Sequence, residues 1–112
     1  MPVIEKLVRS YHVGYISMGE DHSPAEPKLS AWIQLRDEDK NHIGKLYFVD
    51  ISPPPNNILH SNNEFDAFFH LDRFNDIINI LRYEKPIGIY FDTDYKRFEI
   101  QATQEPVGEE ES

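Results

Sequence analysis

Residues 29–51 read LSAWIQLRDEDKNHIGKLYFVDI, and this stretch decides the fold. In LSAWIQLR (29–36), Leu29, Ala31, Ile33 and Leu35 share one face. Ser30, Trp32, Gln34 and Arg36 share the other. A period of two marks a half-buried strand. DEDKN (37–41) is polar and charged, as a hairpin turn requires. HIGKLYFVDI (42–51) is apolar on both faces, with Leu46 and Phe48 set against Tyr47 and Val49. A strand of that kind is normally covered on both sides. The stretch therefore predicts an antiparallel hairpin inside a sheet that curls, pairs with a second layer, or is covered by a partner.

Upstream, LVRSYHVGYISM (7–18) is rich in β-branched and aromatic residues. It predicts a strand with Val13 and Tyr15 on one face and Ile16 and Met18 on the other. GEDHSPAEPK (19–28) is a loop by its Gly, Pro and charge content.

Downstream lies ISPPPNNILHSNNE (51–64), with three consecutive prolines and four asparagines. It cannot be a linker, because the strands after it need the strands before it as sheet partners. It also lacks the spaced P-x-x-P pattern of a ligand for proline-reading domains. It predicts a long loop, and structureless loops of about 12 or more residues inside a domain are often functional.

EFDAFFHL (64–71) then alternates, with Phe65, Ala67, Phe69 and Leu71 on one face and Phe68 and His70 on the other. DRFNDIINILRYE (72–84) reads as a helix, with Asp72 suited to its N-cap. Phe74, Ile77, Ile78 and Leu81 make its apolar stripe. Pro86 prevents continuation. IGIYFD (87–92) and RFEIQAT (97–103) form a second hairpin across TDYK. Ile87, Ile89 and Phe91 should face the same side as Phe98, Ile100 and Ala102.

These elements predict an α+β fold, mostly β. It is an antiparallel meander of about six strands, as a curled sheet, partial barrel or sandwich. One helix, about 72–84, is inserted before the C-terminal hairpin. Residues 1–104 read as a single globular domain and 105–112 as an acidic, flexible tail.

Composition narrows function. The 112 residues contain no cysteine, which excludes disulfides, thiolate metal sites and a cysteine nucleophile. MPVIEKLVRSYHVGY has no signal-peptide run, and no window nears the roughly 18 apolar residues of a membrane span. A soluble cytoplasmic protein is expected. The net charge is −9. Four of those charges, Glu105, Glu109, Glu110 and Glu111, lie in the tail, which leaves −5 for residues 1–104. No cluster of Lys or Arg exists to track a phosphate backbone, so direct nucleic-acid binding is not expected.

No motif fixes a chemistry. No serine sits in a G-x-S-x-G elbow. Asp92 and Asp94 in FDTDY fall at a hairpin turn, where aspartate bonds local backbone N–H groups, and the turn reading outweighs a cation site. His60, Asp66 and His70 could form a nitrogen–oxygen metal site if the loop folds back, but no metal and no cofactor is favoured.

The aromatic content, 12% of the chain, is the more informative feature, because several of these rings fall on half-polar strand faces. The favoured function is therefore a small non-enzymatic binding or regulatory protein. It would act through protein–protein contacts, self-association as a homodimer included. The candidate partner-binding residues are Trp32, Asn56, Asn57, His60, Phe68 and His70. One alternative is a small-molecule or metal-dependent enzyme with a pocket under the 51–64 loop. Another is an acidic inhibitor or decoy, of phage or immunity type, for a basic partner.

Overall fold

The 29–51 hairpin forms as the alternation requires. A computed structural model of the protein describes residues 3–16, 29–84 and 86–102. Its elements are β1 (Val3–Val8), β2 (Ser10–Tyr15), β3 (Leu29–Arg36), β4 (His42–Val49), β5 (Ile58–Leu59), β6 (Phe65–His70), a 3-10 turn (Leu71–Arg73), α1 (Phe74–Tyr83), β7 (Ile87–Asp92) and β8 (Arg97–Ala102). Ser17 and Met18 of the expected first strand, the 19–28 loop and the 105–112 tail lie outside the described residues. Among the described residues, no helix is long and apolar enough to cross a membrane.

β3 and β4 pair antiparallel with Ala31 opposite Phe48 and Ile33 opposite Leu46. The DEDKN turn between them is closed by Asp37, whose Oδ1 accepts from the N–H groups of Asp39 and Asn41, each at 2.9 Å. Lys40 takes the left-handed conformation there, with φ 66°.

The fold class is α+β and mostly β, with open sheets rather than a closed barrel. Five strands form one sheet in the order β2-β3-β4-β6-β5, and three form the other in the order β1-β7-β8. The two sheets and α1 share one core. Ala31, Ile33, Leu35, Leu46, Phe48, Phe65 and Ala67 come from the larger sheet; Ile87, Ile89 and Phe91 come from the smaller. Phe74, Ile77 and Leu81 supply the helix stripe. Phe98 bridges the sheets, with ring centroids 4.7 Å from Phe65 and 6.4 Å from Phe91. Phe48 meets Phe74 edge-on at 5.0 Å, which seats the helix.

The C-terminal hairpin has the expected register, with Phe91 opposite Phe98, Ile89 opposite Ile100 and Ile87 opposite Ala102. Asp92 closes its turn by accepting from the Asp94 N–H at 2.9 Å.

Three details differ from the sequence reading. The expected 7–18 strand is divided between β1 and β2, and β1 begins at Val3, ahead of the expected start. In β1 the core-facing positions are even, since Ile4 and Lys6 lie opposite the buried Phe91 and Ile89. In β2 they are odd, since Val13 lies opposite the buried Ile33. The phase changes at Arg9, where the chain leaves one sheet for the other. A strand serving two sheets must bend at such a corner.

Secondly, β4 and β6 pair in parallel, while every other pair is antiparallel. Parallel neighbours need a crossover of about a dozen residues or more. Residues 50–64 are that crossover. They return the chain from Val49 to the level of Gly44, opposite which Phe65 begins β6. The return is about 17 Å of strand. The crossover contains a cis Ser52–Pro53 bond and the short β5, within the stretch that the sequence reading gives as a loop.

Thirdly, Asp72 is not the helix cap. The chain enters α1 through the 3-10 turn, and the His70 side chain accepts from the Asp72 N–H at 3.2 Å. A histidine at the end of a strand has taken the role that residue type alone assigned to the aspartate.

Candidate functional site

The core covers one face of the five-stranded sheet; the other carries the polar and aromatic half of each alternation. Strand register sorts that outer face into two cross-strand rows. One row is Gly14, Trp32, Tyr47 and Phe68, on β2, β3, β4 and β6. The neighbouring row is His12, Gln34, Lys45, Asp66 and Ile58, reaching β5.

The aromatic row is held from beneath and from its sides. Trp32 lies flat across Gly14: a Cβ at residue 14 would fall 2.3 Å from the indole ring. The indole meets His12 edge-on at 5.2 Å, and the Lys45 ammonium sits 5.5 Å from its centroid. A cation over an indole face is attracted by the ring quadrupole. Tyr47 stacks on Phe68 with centroids 5.1 Å apart and planes 19° apart. Trp32, Tyr47 and Phe68 are each half-buried, so the row is anchored and still presents ring surface. Burial pushes the Tyr47 phenol above its ordinary value of 10.0, and the nearby Asp66 carboxylate pushes it the same way.

The residues named from sequence divide between this face and its rim. Trp32 and Phe68 belong to one row, joined through Tyr47. Asn57 is a clamp. Its Oδ1 accepts from the Phe68 backbone N–H at 2.8 Å, and its Nδ2 donates to the Lys96 carbonyl at 2.8 Å. Asn56 is exposed. His60 Nε2 lies 2.8 Å from Asp66 Oδ2, which fastens the crossover to the polar row.

His70 points elsewhere. It stands 3.7 Å from Asp50 and 3.1 Å from Asp72. Asp66 and His70 are four residues apart on one strand, about 13 Å. The structure thus joins His60 to Asp66 but not to His70, and the three do not form one ligand set. Among the described residues, no group of three or more His, Cys, Asp or Glu is placed to hold a metal ion.

The crossover does roof a hollow of about 460 Å³ lined by Ser52, Pro54, Phe68, Phe69, His70 and Arg73. It is open to solvent, and neither Asn56 nor His60 lines it. A larger groove, about 660 Å³, lies where Leu7, Arg9 and Tyr11 meet Leu81, Arg82 and Ile87. None of Trp32, Asn56, Asn57, His60, Phe68 and His70 lines that groove.

Tyr47, Lys45, His12 and Gly14 complete the face without having been singled out. Tyr47 and Lys45 reach Trp32 and Gln34 only through a register shift beside the turn: unshifted pairing from Arg36 opposite His42 would set Leu46 opposite Trp32. The β2 and β6 positions depended on register with a sequence-distant or parallel neighbour, which periodicity does not supply.

No known protein family, curated protein or solved structure matches this chain.

Proposed function

We propose that this is a small non-enzymatic binding protein that takes a protein partner on the outer face of its five-stranded sheet, and that it also associates with itself. The observation that carries this reading is the row Trp32, Tyr47 and Phe68, laid across three adjacent strands and half-exposed. Aromatic rings with polar handles give large contact area at small entropic cost, and they are enriched in protein interfaces. The neighbouring His12, Gln34, Lys45 and Asp66 supply the polar border that such an interface needs. The net charge of −9 favours a basic partner, drawn in by the long-range field.

A photo-crosslinking side chain placed at Phe68, and separately at the exposed Tyr95, tests the reading in extract from the native source. The expected outcome is a discrete protein adduct from position 68 and none from 95. Equal, non-discrete labelling at both positions would count against a partner on this face.

A further inference from the structure

Among the described residues, the two open sheets leave four edges: β1 and β8 on one, β2 and β5 on the other. A free edge is a row of unpaired backbone donors and acceptors, and proteins that must stay apart guard it with charge or shortness. β1 (VIEKLV) carries Glu5 and Lys6, with Lys6 on its core-facing side opposite Ile89. β8 (RFEIQA) carries Arg97 and Glu99, bridged at 2.7 Å. β5 is only two residues long. β2 (SYHVGY) is six residues long and holds no Asp, Glu, Lys or Arg. Among the described residues, nothing pairs with its outer side.

We infer that β2 is a homodimerisation edge, pairing antiparallel with β2 of a second copy of this chain about a twofold axis at Val13. The inference rests on the self-association in the proposed function and names its surface. The Ile16 N–H donates to the Ser30 carbonyl at 2.9 Å, and Tyr15 lies opposite Ala31. In an antiparallel ladder that phase turns the even-numbered peptide groups of β2 toward β3. The N–H and C=O groups of Tyr11, Val13 and Tyr15 therefore face the open side.

A twofold axis normal to the sheet places residues of equal parity opposite each other, so each sheet face continues into the same face of the second copy. Centring on Val13 overlaps all of residues 10–16. It sets Tyr11 opposite Tyr15 of the second copy, and His12 opposite Gly14 of the second copy.

Both pairings are complementary. Tyr11 and Tyr15 are 36% and 75% exposed in the single chain, so each has ring surface to cover. Aromatic cross-strand pairs are among the stabilising ones. Gly14 has no side chain, and Trp32 fills its place, so His12 of the second copy would meet an indole rather than a gap. The occupant is a second copy rather than a charged peptide, because an uncharged, self-complementary edge offers the least repulsion between two chains of net charge −9. The product is a ten-stranded sheet in which the aromatic row of each copy continues, across the Gly14–His12 pairing, into the polar row of the other, and both copies' Trp32, Tyr47 and Phe68 lie on one bivalent face.

Light scattering on the full chain between micromolar and millimolar concentration tests this, with circular dichroism as the fold control. The wild type should rise from 13.2 kDa toward twice that mass, more readily at higher salt, since screening weakens the mutual repulsion. Y11K/Y15K sets lysines opposite lysines and should associate roughly tenfold or more weakly. Y11K/Y15E sets a lysine of each copy opposite a glutamate of the other. It should recover association, which a mere loss of aromatic surface would not allow. If the double variants misfold, Y15K alone carries the test, because that side chain is mostly in solvent. A wild type that stays monomeric overturns the self-association itself. A wild-type dimer indifferent to Y11K/Y15K overturns the edge and leaves self-association through another surface standing.

Discussion

Two glycines hold aromatic rings against the larger sheet, one on each face. Gly14 is cross-strand to Trp32 on the outer face, and Gly44 is cross-strand to Phe65 on the inner. An added Cβ would fall 2.3 Å from the first ring and 2.5 Å from the second, too close in both cases. What differs is the room each ring has to move. Phe65 is 1% exposed and wedged against Phe98, whereas Trp32 is half-exposed. Gly44→Ala should therefore cost about 2–3 kcal/mol, the upper part of the overpacking range, and Gly14→Ala about 1 kcal/mol. Chemical denaturation measures both. Gly14→Ala should also shift the emission of Trp32, the sole tryptophan, because its indole must tilt outward.

Tyr47 gives a pH dependence with a definite sign. Its phenol is raised above 10.0 in the folded chain, by burial first and by Asp66 second. Between the unfolded and folded values, the unfolded chain has lost a proton that the folded chain keeps. Stability contributed by this group is thus complete below pH 10 and is lost as pH rises through the folded value. Tyr47→Phe should flatten the alkaline fall in melting temperature. Asp66→Asn should lower the Tyr47 titration only slightly, because burial is the larger cause; an Asp66→Asn titration at the ordinary value would reverse that order.

At the scale of elements, the crossover is the piece that most needs fastening. It is attached by side chains rather than by a long ladder: Asn57 to Phe68 and Lys96, His60 to Asp66, and His42 to Glu64 at 2.6 Å. Asn57 extends the short β5–β6 pairing, since its Oδ1 takes the β6 donor that a longer β5 would have taken. Asn57→Ala removes two hydrogen bonds and should cost about 1–3 kcal/mol. Hydrogen exchange should show the loss first at the Phe68 amide. An exchange rate at Phe68 equal to wild type would mean the clamp is not needed.

This element also marks the limit of what the sequence shows. Alternation placed β3, β4, β6, β7 and β8 within a residue or two, because each has one face in the core. The helix stripe was legible for the same reason. The parallel β4–β6 pairing was not, because period two reports which side a residue faces and not which neighbour it lies beside. The length of the 50–64 segment was visible as an anomaly, and the crossover is its physical cause. Of the site, Trp32 and Phe68 were readable as aromatics on half-polar faces. That Tyr47 joins them in one row required the register.

At the scale of the whole molecule, the two hydrogen-bonded sheets and α1 share one core among the described residues. The sequence carries the components of this arrangement, but its seam is a change of phase at Arg9, between Val8 and Tyr11, both of which point inward. Read as one strand, residues 7–18 conceal that seam, since both halves are equally rich in β-formers.

The smaller sheet has a mechanical consequence. β1 and β8 flank β7 and both run antiparallel to it, so they run in the same direction as each other. Val3 lies at the Asp92 end of the sheet and Ala102 at the Ile87 end. Tension applied between Val3 and Ala102 pulls along the strands in opposite senses, so the rungs on each side of β7 bear it together, in shear. Tension applied between Val3 and Arg97 acts at one end of the sheet and opens the rungs one after another. The same three strands are thus a lock along their length and a zipper across it.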